Sequence, residues 1–214
     1  GYYNTALGYR ALSASVSGRN AVAIGYQALM NENSTNTETY NVAIGFSAGQ
    51  SITTGIVNTI VGGLAGDALT TGQANVAIGG EALSNETDSH SSVAIGYQAL
   101  ATQDASSGTN TYNVAVGRSA GLSVTTGIQN TLIGGLAGDA LTTGSDNVAV
   151  GLNALTLEDT GSRNVAVGKS ALANQNYDGE AYNIAVGYNA GNQVTTGIQN
   201  TLIGCLAGDA ITIG

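Results

Sequence analysis

Hydrophobic and polar positions along the chain follow one short rule, seen at Asn41-Val42-Ala43-Ile44-Gly45: polar, apolar, small, apolar, glycine, with Ala48 three residues on. The rule occurs twelve times, and its glycines are Gly8, Gly25, Gly45, Gly62, Gly79, Gly96, Gly117, Gly134, Gly151, Gly168, Gly187 and Gly204. The intervals are 17, 20, 17, 17, 17, 21, 17, 17, 17, 19 and 17 residues. Self-similarity at a fixed period is the mark of a solenoid, in which each repeat packs on its neighbours. Period-two alternation puts Val42 and Ile44 on one face of a strand and Ala43 on the other. Gly45 then ends the strand where a turn needs positive φ or close backbone approach. The Ala-Leu pairs that follow, as at Ala28-Leu29, Ala99-Leu100 and Ala171-Leu172, predict a second short extended piece. A second glycine, ten residues after the first, recurs at Gly18, Gly55, Gly72, Gly127, Gly144, Gly161, Gly197 and Gly214. Each coil therefore reads strand, glycine turn, strand, polar or glycine turn. Like should pair with like in parallel register.

A longer period lies over the first. Gly62 to Gly134 is 72 residues and Gly134 to Gly204 is 70, so four coils make a module and three modules make the chain. The stretch Thr53 to Gly72 returns almost unchanged as Thr125 to Gly144 and as Thr195 to Gly214. The expected fold is all-β: a parallel β-roll, or β-solenoid, of about twelve coils forming a single repeat domain over residues 1–214.

The middle pentapeptide position is Ala in nine coils and Ile60, Leu132 or Leu202 in the others. Both strand faces are then apolar, and a thin roll can bury only one of them inside itself. Two buried aliphatic side chains contribute roughly 3–6 kcal/mol per coil, against about 1–2 kcal/mol of backbone entropy per ordered residue. The alanine face is expected to be the one packed against a neighbouring chain, which predicts a side-by-side oligomer.

Composition narrows the function. The chain has 32 Gly, no Pro, no Trp, one Phe and 9% charged residues, too few large side chains for a thick globular core. Glycine does not recur every third residue, which excludes collagen. A net charge of −9 and a pI near 4.1 argue against nucleic acid and anionic membranes as partners. The single Cys permits no intrachain disulfide. No apolar run is long enough for a transmembrane helix, and no signal peptide is visible. The chain starts in mid-repeat and reads as an excised segment of a longer protein.

Three polar insertions occupy the same place in each module: Asn31 to Tyr40, Thr102 to Tyr112 and Asn174 to Tyr182, each ending in Tyr-Asn. Repeat insertions form loops on one face, often a binding face. A tyrosine ring suits a pyranose face, while amides and carboxylates suit its hydroxyls. The contact candidates are Asn33, Thr35, Glu38 and Tyr40, then Asp104, Thr109 and Tyr112, then Tyr177, Asp178, Glu180 and Tyr182. The competing reading has the tyrosines capping the next strand and packing locally.

Catalytic and metal motifs do not assemble. His90 has Asp88, Ser89 and Ser91 only as sequence neighbours, which is no triad. Gly168-Lys169-Ser170 resembles the end of a phosphate loop, but Arg163 stands where that motif needs glycine. Asp67, Asp139 and Asp209 recur once per module, too sparsely for calcium, and read as turn or cap residues. No acidic pair stands apart for glycoside hydrolysis. Cys205 replaces Gly63 and Gly135 as a small residue. Asn41, Asn58, Asn75, Asn113, Asn130, Asn147, Asn164, Asn183 and Asn200 share one slot and predict a hydrogen-bonded ladder. No enzyme activity, cofactor or metal is expected.

The Asn-Val-Ala-Ile-Gly-x-x-Ala coils resemble the head repeats of YadA-like trimeric autotransporter adhesins. Asn4-Thr5-Ala6-Leu7-Gly8-Tyr9-Arg10-Ala11-Leu12 and Ala21 to Leu29 are similar to repeats of bacteriophage tail fibres. The resemblance covers every coil, although most coils here exceed the compact adhesin repeat. It implies a left-handed parallel β-roll assembled as a homotrimer. It further implies an extracellular place, on a virion tail fibre or a bacterial surface, and attachment to a host or cell-surface glycan or protein.

Overall fold

A computed structural model describes residues 1–35, 38–105 and 107–213. Asn36 and Thr37 of the first insertion, Ser106 of the second, and Gly214 lie outside the described residues. Twelve parallel strands form a β-solenoid of about twelve turns: β1 (Thr5–Leu7), β2 (Val22–Ile24), β3 (Val42–Ile44), β4 (Thr59–Val61), β5 (Val76–Ile78), β6 (Val93–Ile95), β7 (Val114–Val116), β8 (Thr131–Ile133), β9 (Val148–Val150), β10 (Val165–Val167), β11 (Ile184–Val186) and β12 (Thr201–Ile203). No described residue is helical. Two compact units divide the chain, Gly1–Thr111 with β1 to β6 and Tyr112–Gly214 with β7 to β12. Within each unit every strand pairs in register with the next, as in Val42↔Thr59, Ala43↔Ile60 and Ile44↔Val61. A parallel ladder repeats one environment at every rung, so identical residues stack.

The strand faces settle which apolar surface is interior. In β2 to β11 the middle residue is fully buried, while the flanking Val, Ile and Thr side chains are half-buried or exposed. The alanine face is thus the inside of the roll, and the β-branched face is the one left outside. Beside it runs the slot after the strand glycine, where Tyr9, Tyr26 and Phe46 form an exposed stack with ring centroids 5.4 and 5.2 Å apart.

The expected second strand is replaced by a series of turns. Residues two and four positions after the strand glycine adopt left-handed φ throughout, as Gln27 (58°) and Leu29 (46°) or Ser47 (52°) and Gly49 (56°). A β-branched residue would be strained there; Leu is accepted because its side chain fills the interior. The fourth position alternates between Leu and Gly, with a compensating exchange three residues later. Coils with Gly49, Gly66, Gly121 or Gly138 carry the buried Ile52, Leu69, Val124 or Leu141, whereas Leu29, Leu83, Leu100, Leu155 and Leu172 are followed by Glu32, Glu86, Gln103, Glu158 and Gln175. One large aliphatic per coil occupies the turn side of the core. A Cβ on Gly49 would lie 2.9 Å from Ile52 Cδ1 and 3.2 Å from Leu29 Cδ2, so both arrangements cannot coexist in one coil.

In most coils an asparagine closes the coil and joins it to the next. Asn58 Nδ2 donates to the carbonyl of Gly72, the second glycine of its own coil, at 2.9 Å, while Asn58 Oδ1 accepts the backbone N–H of Asn75 at 3.0 Å. Asn130 repeats this with Gly144 at 2.9 Å and Asn147 at 3.0 Å. These side chains are fully buried.

The strand glycines are held by backbone contact. Gly62 has φ +141°, and a Cβ there would lie 2.4 Å from the Gly79 carbonyl oxygen; at Gly63 a Cβ meets nothing within 4 Å. Gly62→Ala is expected to cost about 2–3 kcal/mol and Gly63→Ala less than about 0.5 kcal/mol. Urea unfolding of the two variants checks this, equal losses being the contrary result.

Candidate functional site

The insertions emerge where the asparagine ladder is interrupted. Coils begun by β2, β5, β6 and β10 lack the second glycine, and in the β5 coil Asn75 Nδ2 donates to the Ser89 carbonyl at 3.0 Å instead; in the three coils that carry insertions the slot before the strand holds Ala21, Ser92 and Asn164. Asn164 Nδ2 is buried there without a hydrogen-bond partner, while its Oδ1 still accepts the Asn183 N–H at 3.2 Å. Buried polar side chains take up the vacated space. Gln103 Nε2 donates to Ser92 Oγ at 2.7 Å and to Glu86 Oε2 at 2.9 Å. Asn183 Nδ2 donates to Gln175 Oε1 at 2.7 Å.

Each insertion therefore has a buried carboxylate at its base, Glu32 within the first insertion and Glu86 and Glu158 in the coils before the second and third, which sequence reasoning did not single out. Glu86 Oε1 accepts the N–H groups of Asp88 and Ser89 at 3.2 and 2.9 Å. Glu158 Oε1 accepts Gly161 N–H at 2.7 Å, and its Oε2 accepts Tyr177 N–H at 3.3 Å, which anchors the third insertion. Burial pushes the Glu158 carboxyl above the usual carboxylate range, against the pull of those N–H groups. Glu32 is fully buried, and neither of its oxygens makes a hydrogen bond. The hydroxyls of Ser15 and Thr39 face it, and Thr39 Oγ1 donates to the Arg19 carbonyl at 3.1 Å. Burial raises the Glu32 pKa more than these hydroxyls lower it.

The tyrosines that end the insertions sit in left-handed conformation, with φ of 50°, 51° and 54° at Tyr40, Tyr112 and Tyr182. Tyr40 O–H donates to Glu38 and Tyr182 O–H to Glu180, and the first bond raises the Tyr40 pKa. Arg163 pairs with Glu180, donates to Tyr182 Oη at 2.8 Å and places its guanidinium carbon 5.6 Å from the ring centroid. These four candidates thus make local ties at the loop bases. Asn33 and Thr35 are exposed, with Asn33 N–H donating to the Thr53 carbonyl at 2.9 Å. Asp104 accepts from Thr87 Oγ1 at 3.0 Å, and the Thr109 carbonyl accepts His90 N–H at 2.8 Å. Tyr112 is exposed.

Tyr177 and Asp178 lie together in a concavity of about 500 Å³, completed by Asp159, Asn176 and Thr196. Thr160 organises its floor: its hydroxyl donates to Asp178 Oδ1 at 2.8 Å and its N–H to Asp159 Oδ1 at 2.7 Å. Among the described residues none hydrogen-bonds the second oxygen of either carboxylate, the Asn176 amide, the Tyr177 hydroxyl or the Thr196 hydroxyl. Asn176 lies within the third insertion beside Tyr177; Asp159 and Thr196 were missed because they are remote along the chain, yet the coil period carried the signal. Thr160 and Tyr177 are 17 residues apart and Tyr177 and Thr196 19, the intervals that stack one coil on the next.

His90 Nδ1 accepts Gln73 N–H at 3.0 Å in a half-exposed bridge. Asp139 accepts a hydrogen bond from Thr156, whereas Asp67 Oδ1 is buried without a partner and its carboxyl is raised by burial, then by Glu81. Cys205 is exposed. Among the described residues no three His, Cys, Asp or Glu side chains are placed to hold a metal ion. No protein-family model matches the chain, nor does any curated protein or solved structure.

Glu32 yields a signed pH dependence. Its folded pKa exceeds the unfolded one, so its contribution to stability falls as pH rises through the unfolded pKa towards the folded pKa. Glu32→Gln, which installs the residue found at Gln103 and Gln175, should raise the unfolding midpoint at neutral pH, with the gain shrinking in acid. Glu86→Gln should lower it by about 1–3 kcal/mol, because the new amide would face the Gln103 donor. Thermal unfolding across pH checks both signs.

Proposed function

We propose that the chain is a non-enzymatic segment of an extracellular fibre, a tail-fibre or surface-adhesin shaft, that assembles as a homotrimer and presents its insertions for attachment. The observation that carries this reading is the outward aliphatic ladder. Successive strands add Val22 and Ile24, Val42 and Ile44, Val76 and Ile78 in one unit, and Val148 and Val150, Val165 and Val167 in the other, all incompletely covered within their own chain. A continuous apolar stripe of this kind on a chain carrying −9 charge calls for like surfaces to meet along it. Three copies of three insertions would then engage a surface together, and linked weak sites gain roughly 10²–10⁴ in avidity.

A purely structural spacer is the second reading, and the Tyr40–Glu38 and Tyr182–Glu180 ties favour it, since these side chains are spent inside their own loops. A glycan-degrading enzyme would need two carboxyls at working distance across a substrate, and Asp159 and Asp178 are the pair that shares a concavity.

Light scattering over a dilution series is expected to give a mass of three chains. Ile133→Lys, on the outward face of β8, should shift that mass towards the monomer while the monomer stays folded; a native monomer overturns the assembly. Replacing all three insertions by short Thr-Thr-Gly connections should preserve the fold and abolish attachment. Retained attachment would sink the loop assignment.

A further inference from the structure

The geometry points to the concavity of the third insertion as a site for one uncharged or amino-substituted hexose residue, with acidic sugars excluded. The inference rests on the attachment reading and adds to it a ligand class and a place. A volume of about 500 Å³ exceeds one sugar ring and suits a residue within a longer glycan, since the site opens to solvent. Two of its polar groups, the Asp159 and Asp178 carboxylates, are held in place with capacity to spare. Thr160 fixes one oxygen of Asp159 and one of Asp178, and the second oxygen of each remains to accept a hydroxyl proton. Two acceptors held by one threonine suit neighbouring hydroxyls on a ring, or a hydroxyl beside an ammonium group.

Asn176 supplies both a donor and an acceptor, which a sugar hydroxyl can use in either sense. Tyr177 is half-exposed, and its backbone is pinned by Glu158 from within the core. Gly179 holds φ +155°, and a Cβ there would lie 3.2 Å from Tyr177 Cε1, so the glycine lets the chain turn close beneath the ring. A ring fixed in this way offers a flat apolar platform at little entropic cost. No Lys or Arg lines the concavity. A carboxylate-bearing sugar would meet two like charges and no counter-charge, which costs binding.

The test uses the full chain and saturation-transfer NMR with methyl glucoside, glucosamine and glucuronate, each with and without a chelator. Binding of the first two, failure of glucuronate, and a loss of about tenfold, equivalent to 1.4 kcal/mol, in Tyr177→Ala support the site. Tyr177→Phe should retain most of the affinity, and Asp178→Asn should weaken glucosamine more than glucoside. Thermal unfolding of each variant confirms that the roll persists. Equal binding of glucuronate, binding indifferent to Tyr177→Ala, binding lost with the chelator, or no binding at all overturns the proposal. Shortening of a bound oligosaccharide overturns it too, since the two carboxyls would then be reacting rather than merely holding. Attachment that depends on the loops but survives Tyr177→Ala would remove this site and leave the attachment reading standing.

Discussion

Everything in this roll depends on how a buried asparagine divides its hydrogen bonds. Its amide N–H reaches across to the second glycine of the same coil, and its carbonyl takes the backbone N–H of the following coil. One side chain therefore closes a turn and sets the spacing to the next turn. A three-residue strand is too short to fix register by itself. Asparagine supplies what strand length does not, and both groups are satisfied in a setting where an unpaired amide would cost about 1–3 kcal/mol.

Interior volume follows a second constraint. A coil accepts one large aliphatic on its turn side, either Leu in a left-handed conformation or an aliphatic three residues later behind a glycine. The first choice leaves the later position polar, and that is how Glu86, Glu158 and their glutamine neighbours enter the core. Insertions occur in coils of this kind, where ladder and core are already polar. Loop and core are thus one design: Glu158 is a core residue by burial and a loop residue by what it holds.

The sequence was legible wherever the period was. Strand positions, parallel register and the glycine turns followed from the pentapeptide, because stacking makes every coil a copy of its neighbour. The asparagine slot was readable for the same reason. Misreadings arose where equal hydropathy hides different geometry. Ala-Leu after Gly25 or Gly96 looks extended, yet the preceding Gln27 and Gln98 and the leucines themselves are left-handed. Alternation named two strand faces, and the alanine face was expected to need a neighbouring chain; it is instead the inside of the roll, because the roll is too thin for two β-branched ladders. The concavity around Tyr177 was half legible: its insertion residues stood out, but Asp159 and Thr196 belong to neighbouring coils and resemble ordinary corner residues.

The near-identical stretches Thr53 to Gly72, Thr125 to Gly144 and Thr195 to Gly214 follow each insertion, and the first two close their coils through the asparagine ladder. At the level of the gene they are matching flanks in one reading frame. Crossing over between any two would exchange, add or delete a whole insertion cassette and rejoin the roll at an identical rung. Such a chain can change what it displays by recombination, without having to solve its folding problem again.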